Sequence, residues 1–284
     1  MNARNVRCRR LCAAVLLLAS SSTSVAAQER MHRGMAAAPT VSLRVFVPAG
    51  KVRIAVWSRD SIDIAGTVGA TASVFGGGTR EYVKFGVDAL RTGDTRLPDA
   101  DWVVTVPAAA HVWVKMTAGV IETDGTSGDV ELYAVGGSIT VRRATGATSI
   151  ESIDAAVSIS DSRGDIRVRG GKASLVFQDV SGTASVTSVS GRVEVRGRSA
   201  PDGRIETIGG DILLDVPRLR GAALELQTHS GAITAIVDRL ALPLLDLTSR
   251  TGLVTNPAPS GTRAQGLVTA RSFRGAITVR VGAK

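Results

Sequence analysis

Hydrophobic and polar positions alternate along most of this chain, and a longer period organises the alternation. Glycine or alanine falls at 119, 128, 137, 146, 155, 164, 173, 182 and 191, a spacing of nine held throughout. Apolar side chains follow two and four places later: Val130 and Leu132, Ile139 and Val141, Val157 and Ile159, Ile166 and Val168, Leu175 and Phe177, Ala184 and Val186, Val193 and Val195. Period-two alternation puts each pair on one face of a strand of about five residues. A lone strand of that length cannot bury its apolar face, so the units must stack, each hydrogen-bonded to the next at about 4.8 Å.

A finer difference between alternate units sets the size of a coil. Seven places after the small residue, one set carries Val135, Ile153, Gly171 and Val189, and the other Thr126, Ala144, Ser162, Val180 and Arg198. Polar residues precede glycine in Ser127-Gly128, Thr145-Gly146, Arg163-Gly164 and Ser181-Gly182. Two units therefore make one coil of about 18 residues. The expected fold is all-β, a single β-solenoid resembling a β-helix, with irregular capping strands at both ends. Val130, Ile139, Ile166, Leu175, Val186 and Val193 are expected to face its core.

The regular units occupy 119–199 of a domain spanning 41–284. In the flank 41–118, Leu43, Val45 and Val47, then Val52, Ile54 and Val56, then Ile62 and Ile64 read as short first strands. The stretch 74–101 contains Gly76-Gly77-Gly78 and Leu97-Pro98-Asp99 and reads as a loop excursion around one strand near Tyr82–Val87. The flank 200–284 keeps the same grammar with insertions, forming irregular last coils and a cap. There Pro243, Pro257 and Pro259 lack the amide donor that further strand pairing needs. Residues 28–40 carry no sustained pattern and are expected as a flexible linker.

Residues 1–27 read as a signal peptide. Arg4, Arg7, Arg9 and Arg10 precede the short apolar run Leu11–Ala19, and Val25-Ala26-Ala27 supplies small residues for cleavage after Ala27. No stretch approaches the roughly 20 apolar residues of a membrane-spanning helix. The mature protein is thus expected outside the cytoplasm: periplasmic, at the cell surface or secreted.

Removing that leader changes the chemistry available. Both cysteines, Cys8 and Cys12, lie within it, so the mature chain is expected to hold no disulfide, thiol nucleophile or thiolate metal site. The leader takes four of the 34 basic residues and no acid, so the net charge of +9 falls to +5. The remaining arginines are scattered among acids, which excludes the concentrated stripe of a nucleic-acid binder.

The order of several segments resembles a known family. The segment Val45 to Val52 reads Val-x-Val-Pro-Ala-Gly-x-Val, Val104 to Ala108 reads Val-Thr-Val-Pro-Ala, and repeated Ser-Gly-x-Val-x-Val units follow. Together with the leader, these resemble the DUF4097 family, whose members are labelled adhesins. The resemblance implies an exported β-solenoid and assigns no functional residue.

Motifs for catalysis or ligation are sparse. The chain has no His-Glu-x-x-His, no Gly-x-Ser-x-Gly and no phosphate loop, and His32, His111 and His229 lie far apart. Calcium-binding nonapeptides need aspartate in each turn, and units such as Gly137 to Ala144 have none. No cofactor or metal is expected. An 18-residue coil would align Arg143, Asp161 and Asp179 in a column, with two carboxylates about 5 Å apart as in a retaining glycosidase. That column is the basis of the alternative reading, a polysaccharide-active enzyme; the ordinary source of such aspartates is turn chemistry.

The expected function is a non-catalytic scaffold or adhesin-like module that meets a protein or an envelope polymer across a flat solenoid face. Coil stacking would line up Glu131, Ser149, Arg167 and Ser185 in one outward row, and Tyr133, Glu151, Arg169 and Thr187 in the next. Tyr133, Glu151, Arg167 and Arg169 are the candidate contact residues. A glycan binder would show an exposed aromatic row, and the regular units offer only Tyr133 and the inward-facing Phe177.

Overall fold

A computed structural model describes residues 28–91, 93 and 95–282; the expected signal peptide, 1–27, lies outside the described residues. Every regular element among the described residues is a strand. Short strands come first: β1 (Glu29–Ala36), β2 (Ser42–Phe46), β3 (Ala49–Trp57), β4 (Ser61–Val68), β5 (Ala72–Gly78), β6 (Tyr82–Ala89) and β7 (Asp99–Pro107). Three long strands follow: β8 (His111–Asp124), β9 (Val130–Arg142) and β10 (Thr148–Ser160). Next come β11 (Arg163–Gly170), β12 (Leu175–Gln178), β13 (Ser181–Ser188), β14 (Val193–Arg196), β15 (Asp202–Thr207), β16 (Ile212–Asp215), β17 (Ala223–Thr228) and β18 (Ile233–Asp238). The last are β19 (Pro243–Ser249), β20 (Val254–Thr255), β21 (Thr262–Ser272) and β22 (Ile277–Gly282).

The long strands turn a corner partway along. In β9 the buried positions switch from Val130, Leu132 and Ala134 to Ile139 and Val141, an even-to-odd change that marks a bend rather than a flat ribbon. Gly137, with φ 103°, sits at that bend. The two halves of each long strand join different stacks: β10 pairs with β11 through Thr148↔Ile166 and with β12 through Val157↔Leu175. The first stack runs β5-β6-β2-β8-β9-β10-β11-β13-β15-β17-β21-β19. The second runs β1-β4-β7-β3-β8-β9-β10-β12-β14-β16-β18-β22-β20.

Pairing through the regular region is parallel with an offset of 18: Val112↔Val130, Val130↔Thr148, Thr148↔Ile166 and Ile166↔Ala184. It widens to 19 at Ala184↔Gly203 and 21 at Gly203↔Leu224. The six residues expected in the core are all buried, none more than 1% exposed.

Later corners share a device that the nine-residue period does not reveal. A hydroxyl residue closes the bend onto the residue three places on: Thr207 Oγ1 donates to the Gly210 carbonyl at 2.6 Å, and Thr228 Oγ1 accepts from the Gly231 amide at 2.9 Å. Ser272 Oγ accepts from the Gly275 amide at 2.7 Å in the same way. Glycine is needed there because a Cβ on Gly210 or Gly231 would overlap the carbonyl oxygen of the preceding coil.

Both flanks depart from expectation. The segment 28–40, expected as a linker, contains β1, which pairs antiparallel with β4 from Glu29↔Val68 to Ala36↔Ser61. Its order comes from backbone hydrogen bonding and from half-buried Met31 and Met35 against the core, not from an alternating pattern. The stretch 74–101 is not a single strand in a loop: Gly76-Gly77-Gly78 belongs to β5, antiparallel to β6. Glycine fits there because the Phe85 ring lies where a Cβ of Gly76 would stand. At the far end, β21 and β22 insert between β17–β18 and β19–β20, so the final strands of the chain are not the final strands of the stack.

Candidate interaction face

The outward positions of the first stack form continuous rows. Register places Glu131, Ser149, Arg167 and Ser185 side by side, and Tyr133, Glu151, Arg169 and Thr187 beside them, each at the offset of 18. Three of the four charged members, Arg167, Glu151 and Arg169, are ion-paired. Arg169 Nη1 donates to Glu151 Oε1 at 3.1 Å, and Arg167 Nη2 donates to Asp165 Oδ2 at 2.9 Å. All four side chains are about half exposed or more, so each pair contributes about 1 kcal/mol at most.

Followed toward the N-terminal end, the same rows change character. Glu131 neighbours Trp113, which neighbours Arg44 and then Lys84; Tyr133 neighbours Lys115, then Phe46 and Gly86. Phe46 and Trp113 have ring centroids 4.8 Å apart. Cations lie over the rings: Lys115 Nζ is 5.2 Å from the Tyr133 centroid, and Lys84 Nζ is 5.0 Å from Phe46 and 5.6 Å from Phe75. The Arg44 guanidinium is 5.8 Å from Tyr82 and 5.9 Å from Trp113. Such contacts contribute about 0.5–1 kcal/mol each at exposed sites.

Local sequence explains why the aromatics gather here. Gly86 has no side chain, and Phe46 and Phe75 close over the space that a Cβ would occupy. Phe46, Phe75, Trp113 and Tyr133 remain half-exposed, and Tyr82 is exposed. A hollow of about 240 Å³ is lined by Trp113, Lys115, Glu131, Leu132, Tyr133, Ser149 and Glu151. Arg44, Lys84 and Lys115 form no ion pair with a carboxylate among the described residues. The face therefore combines apolar ring surfaces with cations free to meet an anion.

Of the four expected contact residues, Tyr133 and Glu151 line this hollow, and Arg167 and Arg169 lie farther along the rows. Trp113, Phe46, Tyr82, Phe75, Arg44, Lys84 and Lys115 were not among the expected contacts. They come from four strands, β2, β5, β6 and β8, and the order β5-β6-β2-β8 that unites them is not chain order.

The aspartate column is present in the turns that lead from the second stack back to the first. Arg143, Asp161 and Asp179 have φ of 51°, 50° and 52°, continuing a left-handed column that Gly125 begins at 79°. Asp tolerates this conformation better than most residues. Asp179 Oδ1 also accepts from the Arg198 amide at 2.6 Å, and Arg143 pairs with Asp124 at 2.6 Å. An open hollow of about 620 Å³ beside these turns is lined by both aspartates, Arg143, Arg163, Arg198 and Arg220. The histidines stay apart: His32 lies 2.7 Å from Asp63, His111 lies 3.5 Å from Asp129, and His229 stacks on Phe273. No metal-holding group of His, Cys, Asp and Glu occurs among the described residues.

No family model and no curated protein matches the chain. Three solved structures are similar in part. A "putative cell adhesion protein" from Clostridium sporogenes is 9% identical over 89% of this chain and 100% of that one, with a TM-score of 0.26. A "putative adhesin" from Bacteroides fragilis is 9% identical over 90% and 99%, at 0.37. A "putative lipid binding protein" from Parabacteroides distasonis is 13% identical over 88% and 96%, at 0.35.

Proposed function

We propose that the protein is an exported, non-catalytic interaction module, a β-solenoid of the DUF4097 type, whose first-stack face holds an extended envelope glycan carrying anionic groups. The carrying observation is the patch of Phe46, Trp113 and Tyr133 interleaved with Arg44, Lys84 and Lys115. Ring faces suit stacking against the apolar face of a sugar, and the unpaired cations suit carboxylate or phosphate substituents. The rows continue past the patch into Glu151, Arg167 and Arg169, which give a long polymer weaker contacts along the same direction.

Binding of the mature protein to isolated envelope polysaccharide tests this directly. Trp113→Ala combined with Tyr133→Ala is expected to weaken binding at least tenfold, about 1.4 kcal/mol. Arg167→Ala with Arg169→Ala is expected to weaken it severalfold at low salt and hardly at all at moderate salt. Binding unchanged by the aromatic pair removes this face. Release of reducing ends that vanishes in Asp161→Asn or Asp179→Asn would replace the reading with the enzymatic one.

A further inference from the structure

The turns that lead into the first stack hold two arginines that break the local pattern. A hydroxyl residue precedes the turn glycine at Ser127, Thr145 and Ser181, but the coil between the last two carries Arg163 instead. Farther along, the Ala222 amide donates to the Leu219 carbonyl at 3.1 Å and closes a turn whose central residues, Arg220 and Gly221, have φ of 55° and 89°. The first of those positions ordinarily holds Asn, Asp or Gly, because a longer side chain bears the left-handed penalty without a local hydrogen bond in return. Neither the Arg163 nor the Arg220 guanidinium has an ion pair, a hydrogen bond or a ring contact among the described residues. Two departures from turn chemistry that bring the fold nothing point to a ligand.

Both arginines line the same open hollow of about 620 Å³. Arg163 opens β11 and Arg220 leads into β17, three steps along the order β11-β13-β15-β17, or about 14 Å at the backbone. Ser181 and Ser199, from the coils between, also line the hollow, with Thr145 and Asp161 alongside. None of these hydroxyls, nor the Asp161 carboxylate, has a hydrogen-bond partner among the described residues. The remaining arginines there, Arg143 and Arg198, are paired with Asp124 and Asp179. Along the stack, free cations therefore bracket free hydroxyls.

We propose that this hollow binds a hydroxylated carbon chain carrying two phosphate groups, one held by each free arginine. A guanidinium fork engages two oxygens of an anion, and phosphate keeps a further oxygen for a neighbouring hydroxyl where a carboxylate has none. Asp161 accepts from a hydroxyl of the ligand and disfavours any further anion between the two phosphates. Free sugar bisphosphates and polymers of polyol phosphate share this chemistry. The site lies in the turns, and no residue of it belongs to the aromatic patch of the first-stack face.

Isothermal titration calorimetry of the mature protein with fructose 1,6-bisphosphate, as the free form, and poly(glycerol phosphate), as the polymeric form, tests the proposal. Saturable binding of either is expected, and the tighter of the two identifies the source. Arg163→Ser and Arg220→Asn should each weaken that binding about tenfold or more. Both should melt at the wild-type temperature or above, because each restores a residue that its turn favours. Glucarate, a hydroxylated chain with a carboxylate at each end, should bind about tenfold more weakly than the phosphate ligand. Trp113→Ala with Tyr133→Ala should leave the affinity for fructose 1,6-bisphosphate unchanged, which separates this site from the first-stack face. Binding of neither compound overturns the proposal. So does binding indifferent to either arginine, glucarate equal to the phosphate ligand, or a lower melting temperature in both arginine variants, which would assign the two side chains to the turns.

Discussion

The two ends of the stack solve the same problem in opposite ways. At the N-terminal end the parallel strands give way to antiparallel ones: β4 turns back along β7, β1 along β4, and β5 along β6. Ile62, Ile64, Phe85 and Trp102 are buried beneath them, and Phe85 meets Trp102 edge to face at 5.6 Å. At the C-terminal end the outermost coil is parallel like those before it, and its leucines are exposed. An edge is blunted by changing the direction of pairing, by charge and by glycine, whereas continuing the repeat merely moves the open edge one coil outward.

The largest effect should separate the ends by burial. Ile64→Asp places a charge without a partner in the sealed end and is expected to cost about 4 kcal/mol or more. Leu253→Asp lies in the open end and should change stability by about 0.5 kcal/mol or less. Urea unfolding of the two variants against wild type checks this. Similar losses in both would mean that the C-terminal end is closed after all.

Glycines at the two ends should also differ. Gly210 stands at a corner of the later coils, where a Cβ would overlap the Gly191 carbonyl, and Gly210→Ala is expected to cost about 3 kcal/mol through displaced backbone. Gly77, in the antiparallel cap, has open space within 4 Å of where a Cβ would stand, so Gly77→Ala should be neutral or slightly stabilising. Thermal melting of the pair distinguishes a glycine required by close approach from one that is not.

Removing residues 28–36 should have a smaller but more specific effect. The loss of Met31 and Met35 from the core surface is worth about 2 kcal/mol, and the freed edge of β4 should add concentration-dependent association absent from the intact N-terminal end. A truncated chain as stable and as monodisperse as the parent would show that β1 does not blunt that edge.

The same contrast explains what the sequence reveals. In the regular coils, burial, turn chemistry and stacking act on the same positions, so an interval of nine and an alternation of two are visible in the letters and the 18-residue register follows. At the N-terminal end, Glu29–Ala36 has no alternating pattern because an antiparallel edge strand is held by its backbone, and Met31 and Met35 are its apolar contacts with the core. The aromatic patch is illegible for a topological reason: Phe46, Trp113 and Tyr133 come from segments that are neighbours in the stack but far apart in the chain. The terminal coil is hidden similarly, since nothing local in Thr262–Ser272 says that it lies inside Pro243–Ser249.

The smallest effect concerns the left-handed column, which both halves of the molecule share. Gly125 occupies it on the N-terminal side and Gly197, at φ 112°, on the C-terminal side, with Arg143, Asp161 and Asp179 between. Glycine adopts this conformation without the steric penalty that a Cβ incurs, but it also loses more chain entropy on folding. At Asp161, whose carboxylate makes no hydrogen bond or ion pair among the described residues, those terms leave a gain of up to about 0.5 kcal/mol for Asp161→Gly. At Asp179 the carboxylate accepts from the Arg198 amide at 2.6 Å, and Asp179→Gly forfeits that bond, for a net loss of about 1 kcal/mol. Opposite signs in paired melting experiments are the expected result. They would identify the column as a series of turns in which Asp179 also ties one coil to the next, and equal losses at both sites would instead call for a role for the Asp161 carboxylate beyond the turn.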